Sequence, residues 1–150
     1  AFALDKNDRP VIAWVEDKLV NIPPSLYHSR VLRIKRWNGT QWSSVLNENY
    51  TYSYPSFPLD SLSLAIDSFN QPVLAYTRWN GAKNLIRAKV RDRTTGTWTA
   101  YGELLNSNPP IYTTGKNPKL VLRSDLPIVA FPEGDTTNAS NIAVKTWVQE

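Results

Sequence analysis

The chain has 150 residues, 41% of them hydrophobic and 20% charged, with a net charge of +4, enough for one domain with a sizeable core. It has no cysteine, which excludes a disulfide framework and a thiolate metal site. No apolar run approaches the roughly 20 residues of a membrane-spanning helix, and Lys and Arg are spread along the chain, a solvated surface and not a nucleic-acid site.

Residues 2 to 5 read as a short first strand, and Lys6-Asn7-Asp8-Arg9 as a turn. Pro10 cannot donate to a ladder and so belongs at a strand start, and Val11 to Val15 follows as a β-branched and aromatic run. Glu16 to Ser29 reads as a loop broken by Pro23-Pro24. Leu32 and Ile34 then alternate with Val31, Arg33, Lys35 and Trp37, a strand with period 2. Asn38-Gly39 is a hairpin signal that leads to Trp42–Val45, a fourth strand. Asn47 to Pro58 is a polar and aromatic connector.

The same order then returns as Leu62 to Ile66, Val73 to Arg78, Leu85 to Arg91 and Trp98 to Leu104. Asn106 to Pro118 is a second connector. A third unit supplies Lys119 to Arg123, Ile128 to Phe131 and Ile142 to Val148, without a fourth strand. Anchored on Pro10, Pro72 and Pro127, the units recur 62 and 55 residues apart. Leu32, Ile86 and Ile142 fall at one position of the third strands, and Ile34, Ala88 and Val144 at another. No window carries the helical spacing of apolar residues, so the chain reads as all-β.

Four short antiparallel strands repeated at this period predict β-propeller blades, in which neighbouring blades cover both faces of each sheet. One segment spans 1–150: blade 1 at about 1–56, blade 2 at about 57–108 and an incomplete blade 3 at about 117–150. An eleven-strand sandwich would not account for the recurring Asp, turn and Pro-apolar-apolar-Ala-aromatic unit. Three blades leave sheet faces uncovered, and Ala1-Phe2-Ala3 already lies within a strand pattern. The expectation is that further propeller polypeptide, or like subunits, completes the ring.

The units resemble bacterial propeller repeats with an Asp, a polar turn, a Pro-Val-Val-Ala-Trp variant and then Trp-Asn-Gly-x-x-Trp, the last matched by Trp37 to Trp42. The likeness covers nearly the whole chain and implies the fold. It extends distantly to propeller lectins and to sialidase-like propellers, whose Asp-box turn Asp92 to Trp98 matches only in part. The Arg-and-Glu sugar site of fucose-binding propeller lectins is not carried over, because the third strand has Arg33 and Arg36 without a Glu.

For chemistry, the single His28 has no partner histidine, and no phosphate loop or nucleophile elbow is present. Asp5 and Asp67 recur at the first strand's end and read as Asx-turn caps. Glu16-Asp17 and Glu133-Gly134-Asp135 read as solvated loop charge ahead of a site for Ca²⁺ or a polar ligand on the face where those loops open. Trp14, Tyr76 and Phe131 are equivalent by repeat and read as packing residues. Trp79 has no counterpart in the other units, and with Arg78 and Asn80 beside it suits stacking on a sugar ring. Trp79, Arg78, Asn80 and Trp37 are therefore the predicted ligand-binding residues, with no catalytic residue, no metal and no cofactor. Asn38, Asn49 and Asn138 match the glycosylation pattern. The expected function is a non-enzymatic binding or scaffold module, secreted or on a cell surface, with a glycan as ligand. The alternatives are a fragment of a propeller glycosidase or lyase and a structural surface or filament protein.

Overall fold

The structure is a computed structural model that describes residues 1–22, 25–52, 59–79, 83–102, 105, 114–134 and 141–147. Strands β1 (Phe2–Leu4), β2 (Pro10–Ile22), β3 (Ser25–Trp37) and β4 (Trp42–Tyr52) form one antiparallel sheet in chain order. β5 (Leu59–Ile66), β6 (Pro72–Trp79), β7 (Asn84–Arg91) and β8 (Trp98–Ala100) form a second. In the third, β10 (Lys119–Arg123), β11 (Leu126–Gly134) and β12 (Asn141–Thr146) follow in order, and β9 (Thr114–Gly115) pairs β11 on the same edge as β10. There is no helix among the described residues. The chain is a β-propeller segment of three blades, as the repeat predicts.

The three prolines hold one register position. Pro10 faces Leu4, Pro72 faces Ile66 and Pro127 faces Leu122, the first two at the last pair of the inner hairpin and the third one pair inside it. Asp5 then turns the chain by accepting from the amides of Asn7 (2.8 Å) and Arg9 (3.0 Å). Asp67 repeats this with Phe69 (2.9 Å) and Gln71 (2.6 Å). Asp8 and Asn70 hold the same left-handed position of the two turns, with φ of 55° and 64°. The outer hairpins are capped alike: Asn38 accepts from the amides of Thr40 and Gln41, and Asp92 from those of Thr94 and Thr95.

Two connections differ from expectation. The stretch from Glu16 to Ser29 is mostly strand: β2 and β3 pair without interruption from Val11–Arg36 to Ile22–Ser25, so Glu16, Asp17 and His28 are strand residues. Likewise β4 continues past Val45 to Tyr52, and Asn47 to Tyr52 is not a connector. The physical reason is that an antiparallel ladder satisfies the backbone whatever the side chains. β8, by contrast, ends at Ala100.

Alternation gives each blade a trailing face, towards the preceding blade, and a leading face, towards the next. Val11, Ala13, Leu32 and Ile34 on the leading face of blade 1 pack against Leu64, Leu74 and Tyr76 on the trailing face of blade 2. One blade on, Val73, Ala75, Ile86 and Ala88 pack against Leu120, Val129 and Phe131. The positions are register-equivalent: Leu32 pairs Val15 as Ile86 pairs Thr77, and Ile34 pairs Ala13 as Ala88 pairs Ala75. Tyr76 and Phe131 are buried, whereas their equivalent Trp14 lies half-buried on the trailing face of blade 1. Polar contacts bind the blades at their edges: Lys89 pairs with Glu48 (2.8 Å), Arg36 donates to the Asn70 carbonyl (2.6 Å), and the Trp98 indole donates to the carbonyl of Val45, the residue left over at the β3–β4 bulge (3.4 Å).

Candidate functional site

The blades have two unlike ends. At one lie the short turns, β1–β2, β5–β6 and β10–β11 with the outer hairpins β3–β4 and β7–β8. At the other lie the β2–β3, β6–β7 and β11–β12 connections and the links between blades. At this second end the groove between blades 1 and 2 opens into a cavity of about 340 Å³, lined by Ala1, Ala13, Trp14, Val15, Asp17, Arg30, Ser61 and Leu62. That is within the range of small-molecule sites.

Its geometry follows from three local features. The long β2–β3 ladder sets Asp17 directly opposite Arg30, and their side chains form an ion pair at 2.7 Å with Asp17 reaching solvent. The amine nitrogen of Ala1 donates to the Ala13 carbonyl (2.8 Å), which holds the start of the inner strand against β2. Ser61 is the irregular residue of β5: the register shifts between Asp60 and Leu62, and its φ is 34°. Its hydroxyl donates to the Asn117 amide oxygen of blade 3 (2.6 Å), and Asn117 is itself left-handed at 46°. The cavity thus offers a carboxylate and a guanidinium in a mostly polar lining, while the Ser61 hydroxyl is turned to blade 3. Such a donor and acceptor set suits a polyhydroxylated ligand.

The trailing face of blade 1 carries another polar cluster at this end. Arg33 donates through Nε to Glu16 (2.7 Å) and through Nη1 to Asn47 (3.1 Å). The bond from Arg33 holds the Glu16 carboxyl below the usual range.

In the next groove, between blades 2 and 3, alternation along β6 places Thr77 and Trp79 on the face that carries Val73 and Ala75. Glu133, buried, shares the face of β11 with Val129 and Phe131. The Thr77 hydroxyl and the Trp79 indole N–H are buried and have no hydrogen-bond partner among the described residues. Unmet donors of this kind mark a place for a ligand or ordered water.

The predicted residues are not brought together. Trp79 and Arg78 end β6 at the connection end on opposite faces, Trp79 in the groove beyond the cavity and Arg78 on the face that carries Leu74 and Tyr76, and Asn80 lies outside the described residues. Trp37 sits at the opposite end, packed against Trp42 with centroids 5.7 Å apart. Arg30 and Ser61 are not among the predicted ligand-binding residues, and the sequence reads Asp17 as loop charge ahead of a polar-ligand contact. Asp17 and Arg30 flank Pro23-Pro24 symmetrically enough to face each other in a hairpin, and that is the signal the loop reading hides. Ser61 has no such signal. Asp5 and Asp67 are turn caps at the far end of the blades, and among the described residues Asp17 is the one carboxylate that lines the cavity.

No family model matches the chain, and no curated protein matches it. Solved structures do. The chain is similar to the Penicillium chrysogenum alpha-L-arabinanase complexed with arabinobiose, with a TM-score of 0.57 and 14% identity over 97% of this chain and 44% of that one. It is similar also to a thermostable family-43 glycoside hydrolase, with a TM-score of 0.59 and 12% identity over 100% of this chain and 54% of that one. The likeness is one of fold, and the chain spans about half the length of these structures.

Proposed function

We propose that the chain supplies three blades of a carbohydrate-active propeller of the glycoside-hydrolase kind, and that the groove between its first two blades binds a sugar unit. The observation that carries this reading is the cavity itself: the paired Asp17 and Arg30 line a space of about 340 Å³ at the end of the blades where the connections lie. Hydroxyl groups of a sugar would donate to Asp17 and accept from Arg30. The fold likeness to an arabinanase with bound arabinobiose supports the choice of an arabinose oligomer as first ligand. A polymer substrate of that kind would place the protein outside the cytoplasm.

The test is titration calorimetry of the purified chain with arabinobiose and longer arabino-oligosaccharides, beside a reducing-sugar assay on arabinan. Binding that weakens about tenfold in Arg30→Ala, the loss of one charged hydrogen bond, is the expected outcome. Absence of binding by arabino- and xylo-oligosaccharides at millimolar concentration would sink the reading.

A second reading, a binding module without hydrolysis, is favoured by one observation. The recurring carboxylates Asp5 and Asp67 are engaged in turns at the far end, and glycoside hydrolysis needs two carboxylates flanking the bond. Binding without any release of reducing ends would select it.

A further inference from the structure

Both end faces of the segment are built to the same pattern as its internal interfaces. On the leading face, Leu32 and Ile86 are fully buried and their register equivalent Ile142 is 70% exposed. Ile34 and Ala88 are buried at 0% and 1%, and their equivalent Val144 is 58% exposed. On the trailing face, Leu64 and Leu120 are buried and their equivalent Phe2 is 61% exposed, while Leu4 is exposed where Ile66 and Leu122 are partly buried against the neighbouring blade. The exposed residues are not scattered. They occupy positions that two other blades use as core, which monomeric surfaces seldom do.

A polar contact repeats in the same way. At the first junction the amide of Lys6 donates to the Asn70 side chain (3.0 Å), and at the second the amide of Ser68 donates to Asp125 (2.6 Å). Donor position and acceptor position each belong to the inner turns. Blade 1 carries an acceptor at its own turn, Asp8, in the left-handed conformation of Asn70. Blade 3 carries the donor position at Ser124, two residues after Leu122 as Ser68 follows Ile66.

We propose that a second copy of this chain covers both end faces. The leading face of blade 3 in one copy packs on the trailing face of blade 1 in the other, and the reverse contact closes a ring of about six blades. The argument for a second copy is continuity with the interfaces already present: one chain holds both halves of the missing junction, in the register that its own blades use. Two copies also supply about the length of one chain of the similar structures, which this chain spans by half.

Light scattering across a concentration series tests it. The expected mass is twice the 17.0 kDa of one chain. Ile142→Glu and Phe2→Glu should each give a monomer with an unchanged β spectrum, because neither side chain is buried within one copy. An equimolar mixture of the two variants should recover dimer, since one of the two junctions then joins an intact leading face to an intact trailing face. A monomer at all concentrations would overturn the proposal and assign these faces to other blades. Open-ended polymers, or a dimer lost in only one of the two variants, would overturn it as well.

Discussion

Asp5 and Asp67 perform the same local task, which makes them a controlled comparison for what the surroundings add. Each accepts two turn amides through one oxygen. The Asp5 side chain is buried, with Arg36 at 3.7 Å, whereas Asp67 is half-buried. Arg36 in turn reaches the Asn70 carbonyl, so it ties blade 1 to the turn of blade 2. Asp67→Ala loses two partly solvated hydrogen bonds and should cost about 1.5–2 kcal/mol. Asp5→Ala loses two desolvated ones and leaves a half-buried guanidinium without its carboxylate, for about 3–5 kcal/mol. Asp5→Asn keeps an acceptor for the turn amides and should fall between. In a domain of this size the two alanine variants would separate by roughly 5 °C in Tm. Urea unfolding followed by tryptophan fluorescence, with m checked for constancy, measures the difference. Equal losses at the two positions would show that neither burial nor Arg36 contributes, and the argument from environment would fail.

Acid should destabilise the fold below about pH 4. Burial alone would raise Asp5, but the amides of Asn7 and Arg9 and the Arg36 charge outweigh it and leave it depressed. Thr95 depresses Asp92, Ser68 depresses Asp125 and Arg33 depresses Glu16. For depressed carboxyls the unfolded chain takes up protons first, so this stability is complete above the ordinary values of 3.8 and 4.5 and is lost as pH falls through the folded ones. A Tm that stays level from pH 7 to pH 3 would contradict it. Gly96→Ala should cost about 1–2 kcal/mol, because φ is +71° and the new Cβ would lie 2.8 Å from Nη2 of Arg91, which is anchored to Gln71. Chemical denaturation checks it, and a neutral result would show that the turn relaxes freely. Ile34→Ala should cost about 3 kcal/mol by leaving a cavity between blades, whereas Val144→Ala, at the equivalent exposed position, should cost under about 0.5 kcal/mol in the separated chain. Similar losses in the isolated chain would refute the equivalence.

The blade pattern was legible because its signals are local and repeated. Pro10, Pro72 and Pro127 mark one register position, and the apolar positions of the third strands are those that meet the neighbouring blade. The outer halves of β2, β3 and β4 were not legible. Periodicity reports burial, not strand, and a ladder pairs backbone groups whether or not the side chains alternate. Glu16 and Asp17 look like loop charge in the sequence. In the sheet they are held by Arg33 and Arg30, thirteen or more residues away along the chain, and only the ladder brings them opposite.

The same reasoning separates structural from functional residues in a repeat. A residue that recurs answers a need that every blade has, as Asp5 and Asp67 answer the need of a turn. Ligand chemistry has no reason to repeat when the grooves are not alike. The position seven residues after the anchoring proline lies near the connection end of each second strand, and it holds Asp17, Trp79 and Gly134 in turn. One is a carboxylate in an ion pair at the cavity, one an indole with an unmet N–H, and one carries no side chain. Departure from the repeat at this position is where the proposed ligand chemistry lies.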